Sequence, residues 1–175
     1  VFYSKHELTW AQGAELAEYL DNGGSIYMEG RETWLDDLQT PVHNRFGIVP
    51  EGSLTVFDTV RGADSTFMEG LSLLSESVHP LNFYWLEPDS TTEAFSVIEN
   101  TSEGKSCAIA LKTSGYKTIG SVTDLGTLIP LEPIGARGEM IKRILDFFEV
   151  AEYVTGIENK GENLKERAVL AYPNP

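Results

Sequence analysis

Apolar positions change their period along this chain. Leu16, Ala17 and Leu20 recur at helical spacing. Thr9 precedes them with Gln12 three residues on, so that each side chain can cap the other's backbone N–H; a helix is predicted to open at Thr9. Asn22-Gly23-Gly24 stops it, because glycine tolerates the left-handed conformation of a helix C-cap. Ser25-Ile26-Tyr27-Met28 is then a short apolar run of the kind that suits a strand covered on both faces, and Glu29-Gly30 closes it.

Further along, the period shortens. Val1-Phe2-Tyr3, Leu54-Thr55-Val56-Phe57 and Phe95-Ser96-Val97-Ile98 read as strands, residues 67–74 suit strand or helix, and residues 81–86 form an aromatic apolar run closed by Pro88. Residues 106–111 and 117–122 flank Thr113-Ser114-Gly115 as the arms of a hairpin. Ile141, Ile144, Leu145 and Phe148 make one helix stripe. After Val150 the periodicity fades into a polar linker over residues 156–167. A helix feeding a doubly covered strand implies parallel pairing, and the late hairpin implies an antiparallel edge. The expected fold is therefore α/β: a three-layer sandwich with a mostly parallel mixed sheet that is either small or incomplete at its N-terminus. It occupies residues 1–155, with residues 156–175 as linker and tail. Ile26-Tyr27-Met28 is expected to be a central strand.

Composition narrows the chemistry. With 13 Lys and Arg against 27 Asp and Glu the formal net charge is -14, which opposes binding to a nucleic-acid backbone. No apolar run reaches the length of a membrane span. The single cysteine, Cys107, excludes an internal disulfide and a cysteine-based zinc cluster. His6, His43 and His79 lack a metal-binding spacing, and no EF-hand loop occurs, so no metal or cofactor is implied.

Glu29, Gly30, Arg31 and Trp34 follow the first clear strand, and in open α/β sheets ligands bind beyond the carboxyl ends of strands. Gly30 would let the backbone approach a ligand, with Glu29 and Arg31 supplying charge; the plainer alternative is a strand exit with an ion pair. Glu32, Asp36 and Asp37 add loop carboxylates to the same stretch. Cys107 lies between Ser106 and Ala108 inside an apolar run, which suits a small buried hydrophobe better than an exposed nucleophile. His43 and His79 could serve as general bases but have no readable nucleophile partner, so surface positions are the default. Trp34, Phe83, Tyr84 and Trp85 could stack on sugar rings or fill the core.

Two family resemblances go beyond this reading. Residues 8–30, LTWAQGAELAEYLDNGGSIYMEG, resemble the glutamine-amidotransferase-like, flavodoxin-like α/β domains, with weaker matches at Arg45-Phe46-Gly47-Ile48, at the hairpin and at the last helix. That family's catalytic cysteine sits in a Gly-x-Cys-x-Gly elbow, which Cys107 lacks, and its His-Glu pair has no counterpart here. The end of the chain, Tyr172-Pro173-Asn174-Pro175, resembles the opening of the C-terminal sorting domain of type IX secretion in Bacteroidota. Together they imply an accessory or binding module without catalytic residues, in a secreted or cell-surface protein. Its partners would be other domains of a longer chain and a glycan or peptide ligand. The alternative is a hydrolase domain for peptide or glycan substrates with catalytic residues partly outside this chain.

Overall fold

The computed structural model describes residues 7–30, 32–54, 59–75, 83–130 and 136–150. The N-terminal strand expected at Val1, the residues Arg31, His6 and His79, and the linker and tail over residues 156–175 lie outside them.

Helix α1 spans Trp10–Asp21. Thr9 caps it as predicted: its Oγ1 accepts from the Gln12 N–H, and Gln12 Oε1 accepts from the Thr9 N–H at 2.9 Å. Gly13, Ala17 and Leu20 form its buried face. The chain then enters β1 (Ser25–Glu29).

Among the described residues the remaining strands are β2 (Ile48–Leu54), β3 (Thr59–Gly62), β4 (Ser72–Ser75), β5 (Phe83–Pro88), β6 (Phe95–Asn100), β7 (Ser106–Lys112), β8 (Lys117–Ser121) and β9 (Leu128–Pro130). Helix α2 (Ala136–Phe147) follows. The strands form one sheet in the order β1-β8-β7-β6-β3-β4-β9. A branch of β2 and β5 joins it through β7, where Leu86 pairs with Ser106 beyond the last β8 pair. The sheet is therefore curled rather than flat.

Two expectations need correction. The sheet is mixed but not mostly parallel: among the described residues only β1 and β8 run parallel, and every other pair is antiparallel. A parallel pair needs a long crossover, whereas neighbouring strands such as β3–β4, β6–β7 and β7–β8 are joined by short connections that favour antiparallel pairing. β1 is also not central: it ends the sheet among the described residues and is half-buried throughout. Among the described residues the run Ile26-Tyr27-Met28 has β8 as its strand neighbour, and its side chains pack partly against the core. The mixed α/β class itself holds.

Alternate residues of β8 point to opposite faces. On one face Thr118 Oγ1 donates to the Arg45 carbonyl at 3.0 Å, and Gly120 lies against Trp34 and Ile48. α1 sits on this side: Gly13 packs on Thr40, and the Arg45 guanidinium forms a two-bond pair with Asp21. On the other face Lys117 reaches Glu149, just after α2, at 2.7 Å. There Phe147 stacks on Phe67 at 4.6 Å and meets Phe95 edge-on. The helices thus cover opposite faces. One continuous core runs from Leu20 through Phe46, Ile109 and Ile119 to Met140, all essentially inaccessible, and each such side chain contributes roughly 1.5–3 kcal/mol by burial.

Candidate functional site

Where the parallel strands β1 and β8 end, Glu29 lies beside Ser121. Its Oε2 accepts from the Tyr27 hydroxyl at 2.9 Å and from the Leu125 backbone N–H at 2.8 Å. Burial raises the pKa of the Glu29 carboxyl; these two donors oppose the rise, and Asp124 adds to it. The Tyr27 hydroxyl is pushed well above its ordinary range, first by burial and then by the charge of Glu29. Ser121 Oγ donates to the Thr123 carbonyl at 3.0 Å and accepts from the Thr123 N–H at 3.0 Å. The polar groups of this corner are largely spent on one another. Gly30 does not open the backbone to a ligand in the way its sequence position suggests: the space a Cβ would take is filled by the Thr33 side chain.

Trp34 lies on the adjacent face of the sheet. Its indole N–H donates to the Ser121 carbonyl at 2.9 Å, and the Gly30 N–H reaches the same carbonyl at 3.0 Å. An added Cβ at Gly120 would lie 2.6 Å from the Trp34 ring, so the tryptophan comes this close to the strand only because glycine is there. Trp34 is 3% exposed, which removes it as an open stacking platform for a sugar. Phe46 and His43 meet its ring edge-on at 5.0 and 5.8 Å.

Trp34 also lines a concavity of about 220 Å³ between the turn after β1 and the β2–β5 ribbon. Its other lining residues are apolar Ile48 and Pro50, polar Gln39, His43, Asn44 and Asp89, and Gly47. The turn begins tightly, with the Glu32 carbonyl accepting from the N–H groups of Leu35, Asp36 and Asp37. Gln39 Nε2 closes it by donating to the carbonyls of Thr33, Trp34 and Asp37. A 3-10 turn, His43–Arg45, then leads to Gly47 at φ 61, where a Cβ would lie 2.8 Å from both Ala94 and Thr92.

His43 is the notable group. Its Nδ1 accepts from the Thr40 backbone N–H at 3.0 Å, so in the neutral ring the proton resides on Nε2. Only 7% of the residue is exposed, and Nε2 is buried without a hydrogen-bond partner among the described residues. A buried donor left unmatched costs about 1–3 kcal/mol. Burial lowers the imidazole pKa, against the opposing effects of the Thr40 backbone bond and the charge of Asp37. Asp89 carries the opposite character. Its Oδ1 accepts from the Thr91 N–H and hydroxyl, both at 2.8 Å, and these bonds hold its carboxyl below the ordinary range.

Sequence reasoning placed Trp34 near a site and treated His43 as a surface residue. The Thr40-x-x-His43 spacing was the available signal, since a histidine three residues after a turn threonine can fold back on its backbone. Cys107 lies within β7, fully buried, with its thiol pushed up to about 12 by burial. Trp85 is half-buried with the Lys105 ammonium 3.8 Å over its ring. Among the described residues no cluster of His, Cys, Asp and Glu is arranged to hold a metal.

No family model matches this chain, and no curated protein does. Solved structures do. A beta-galactosidase from Rahnella sp. R3 matches with a TM-score of 0.53 at 10% identity, over 79% of this chain and 21% of that one. A beta-galactosidase from the haloarchaeon Halorubrum lacusprofundi matches at 0.51 with 15% identity, over 83% and 21% of the two chains. The exo-beta-1,4-mannosidase Op5Man5 from Opitutaceae bacterium strain TAV5 matches at 0.51 with 9% identity, over 82% and 23%. The chain thus spans about a fifth of the length of each. These neighbours correct the expectation of an amidotransferase-like domain, as does the mainly antiparallel sheet. They lend no support to type IX secretion or to an origin in Bacteroidota, which rested on residues outside those described. Identity of 15% or less carries the fold and nothing finer: a curled, mixed α/β domain of a kind that recurs as one part of longer glycosidase chains.

Proposed function

We propose that this chain is a domain of a glycan-acting hydrolase whose catalytic residues lie partly outside it. The observation that carries this reading is the recurrence of the fold, over about four-fifths of the chain, in two beta-galactosidases and a mannosidase. It favours the hydrolase alternative over a module with no part in catalysis. Glycosidases cleave with two carboxyl groups facing each other across the scissile bond, about 5–9.5 Å apart. The concavity presents one carboxylate, Asp89, and Glu29 lies outside its lining. The described residues therefore suit substrate binding and support, with the cleaving pair completed by other parts of a longer chain. Of the candidate ligand-binding stretch Glu29, Gly30, Arg31 and Trp34, Trp34 then contributes to the wall of the concavity.

The test is hydrolysis of aryl β-D-galactosides and aryl β-D-mannosides, by this chain and by the full natural polypeptide. Release of the aryl group by the full polypeptide, with little or none by this chain, is expected. A full polypeptide inert toward a broad panel of aryl glycosides would overturn the reading.

A further inference from the structure

The geometry points to the concavity beside Trp34 as a binding site for one neutral polyhydroxylated ring, a monosaccharide unit. The ligand class rests in part on the glycan reading above; the location does not.

The His43 imidazole lines the concavity, is nine-tenths buried, and carries its proton on Nε2 because Nδ1 is taken by the Thr40 N–H. That N–H has no acceptor among the described residues. Buried polar groups are almost always matched, and exceptions concentrate at sites that take a ligand or ordered water.

The rest of the lining sets the ligand's chemistry. Asp89 commits Oδ1 to the Thr91 turn and is held ionised, so it offers an acceptor. Gln39 shares its two amide protons among three backbone carbonyls of the turn, and its oxygen is a second acceptor. Asn44 is exposed and offers a further amide, and Ile48 and Pro50 give an apolar surface.

An anion would face the Asp89 carboxylate, and the charge of Asp37 acts on the same imidazole. A sugar hydroxyl both donates and accepts, and the C–H face of the ring suits Ile48 and Pro50. The volume, about 220 Å³, is below the ~300–1,000 Å³ of drug-sized ligand pockets and limits the occupant to one ring.

The test uses the 175-residue chain, labelled with ¹⁵N and titrated with D-galactose, D-mannose and, as an anion control, sodium acetate. Saturable shifts of the Trp34 indole N–H and the Asn44 amide with at least one sugar are expected, and none with acetate. Long-range ¹H–¹⁵N spectra should show the Nε2–H tautomer of His43, with Nε2 shifting on binding. Asp89→Asn keeps an oxygen for the Thr91 turn and should weaken binding about tenfold, the loss of a hydrogen bond to a charged group; Asn44→Ala should weaken it less. His43→Ala should abolish binding, and the two milder variants keep the test decisive should that one fail to fold. Absence of saturable shifts with both sugars, shifts mapping elsewhere, the opposite His43 tautomer, or Asp89→Asn binding like wild type would each overturn the inference. Sugar binding here with no hydrolysis by the full polypeptide would sink the hydrolase reading and leave the site standing. Hydrolysis without binding here would do the reverse.

Discussion

Two polar regions lie on either side of Trp34, and they differ in what they do with their polarity. At the end of β1 and β8, Tyr27, Glu29, Ser121 and Thr123 bond to one another and to the Leu125 backbone. In the concavity, His43, Gln39 and Asp89 each commit one end to the backbone. The first region has the sequence signature of a site, a charged and glycine-containing strand exit, yet its groups are consumed in holding the corner together. The second has no such signature, yet it holds a buried donor that has no partner among the described residues. The density of polar residues is thus a poor guide to binding; hydrogen-bonding capacity left over after folding is a better one.

The largest expected effect comes from removing the wall the two regions share. Trp34→Ala should lower unfolding free energy by about 3–5 kcal/mol, measured by urea denaturation, because it empties a fully packed volume against Gly120. Trp34→Phe should cost only about 1–2 kcal/mol, since the Gly30 N–H still serves the Ser121 carbonyl. Equal effects of the two variants would mean that the ring's packing contributes little and that the regions are not joined through it.

Next comes a change confined to the concavity. Gly47→Ala places a Cβ at positive φ against Ala94 and Thr92 and should cost about 2–4 kcal/mol in the same measurement. The Glu29 titration, followed by carboxyl ¹³C shifts, should remain where it is in the folded protein. A displaced Glu29 titration would show that the two regions are one coupled unit.

The two regions should also answer pH in opposite directions. His43 has a folded pKa below its ordinary 6.5, so the folded state resists its protonation more than the unfolded chain does. Its contribution is fully present above pH 6.5 and is lost as pH falls toward the folded value. The urea midpoint should drop between about pH 7.5 and about pH 5.5, and His43→Asn should flatten that drop. An unchanged slope in the variant would show that His43 is not the group responsible.

The smallest effect is expected at Glu29, whose folded pKa is raised above its ordinary 4.5. There the folded state holds the proton more tightly, so this group's contribution declines as pH rises from 4.5 through the folded value. Glu29→Gln keeps an oxygen for Tyr27 and Leu125 and should change stability at neutral pH by less than about 1 kcal/mol, in the stabilising direction. A loss well beyond that would mean the charge itself is needed where the sheet ends.

What could be read without tertiary structure follows from local chemistry. The Thr9 cap, the end of α1 near Gly23, β1, the β7–β8 hairpin and α2 are all specified by neighbours within a few residues, and all are present. The short strands β3 and β9 were missed because each is only three or four residues long and owes its existence to distant partners. Of the strand expected at residues 54–57 only Leu54 is described, as the end of β2, and the rest of β2 from Ile48 was not read from the sequence.

The direction of strand pairing, the place of β1 at the sheet's end and the role of His43 were decided in three dimensions. A sequence period says which faces of an element are apolar; it carries no information about which strand will pair there. Nor does it report whether a polar atom will meet an acceptor once buried. Trp34 illustrates both limits: its apolar bulk and its one N–H are evident in the sequence, but its seat over Gly120 and its bond to Ser121, 87 positions along the chain, are not. Only the folded sheet brings them together.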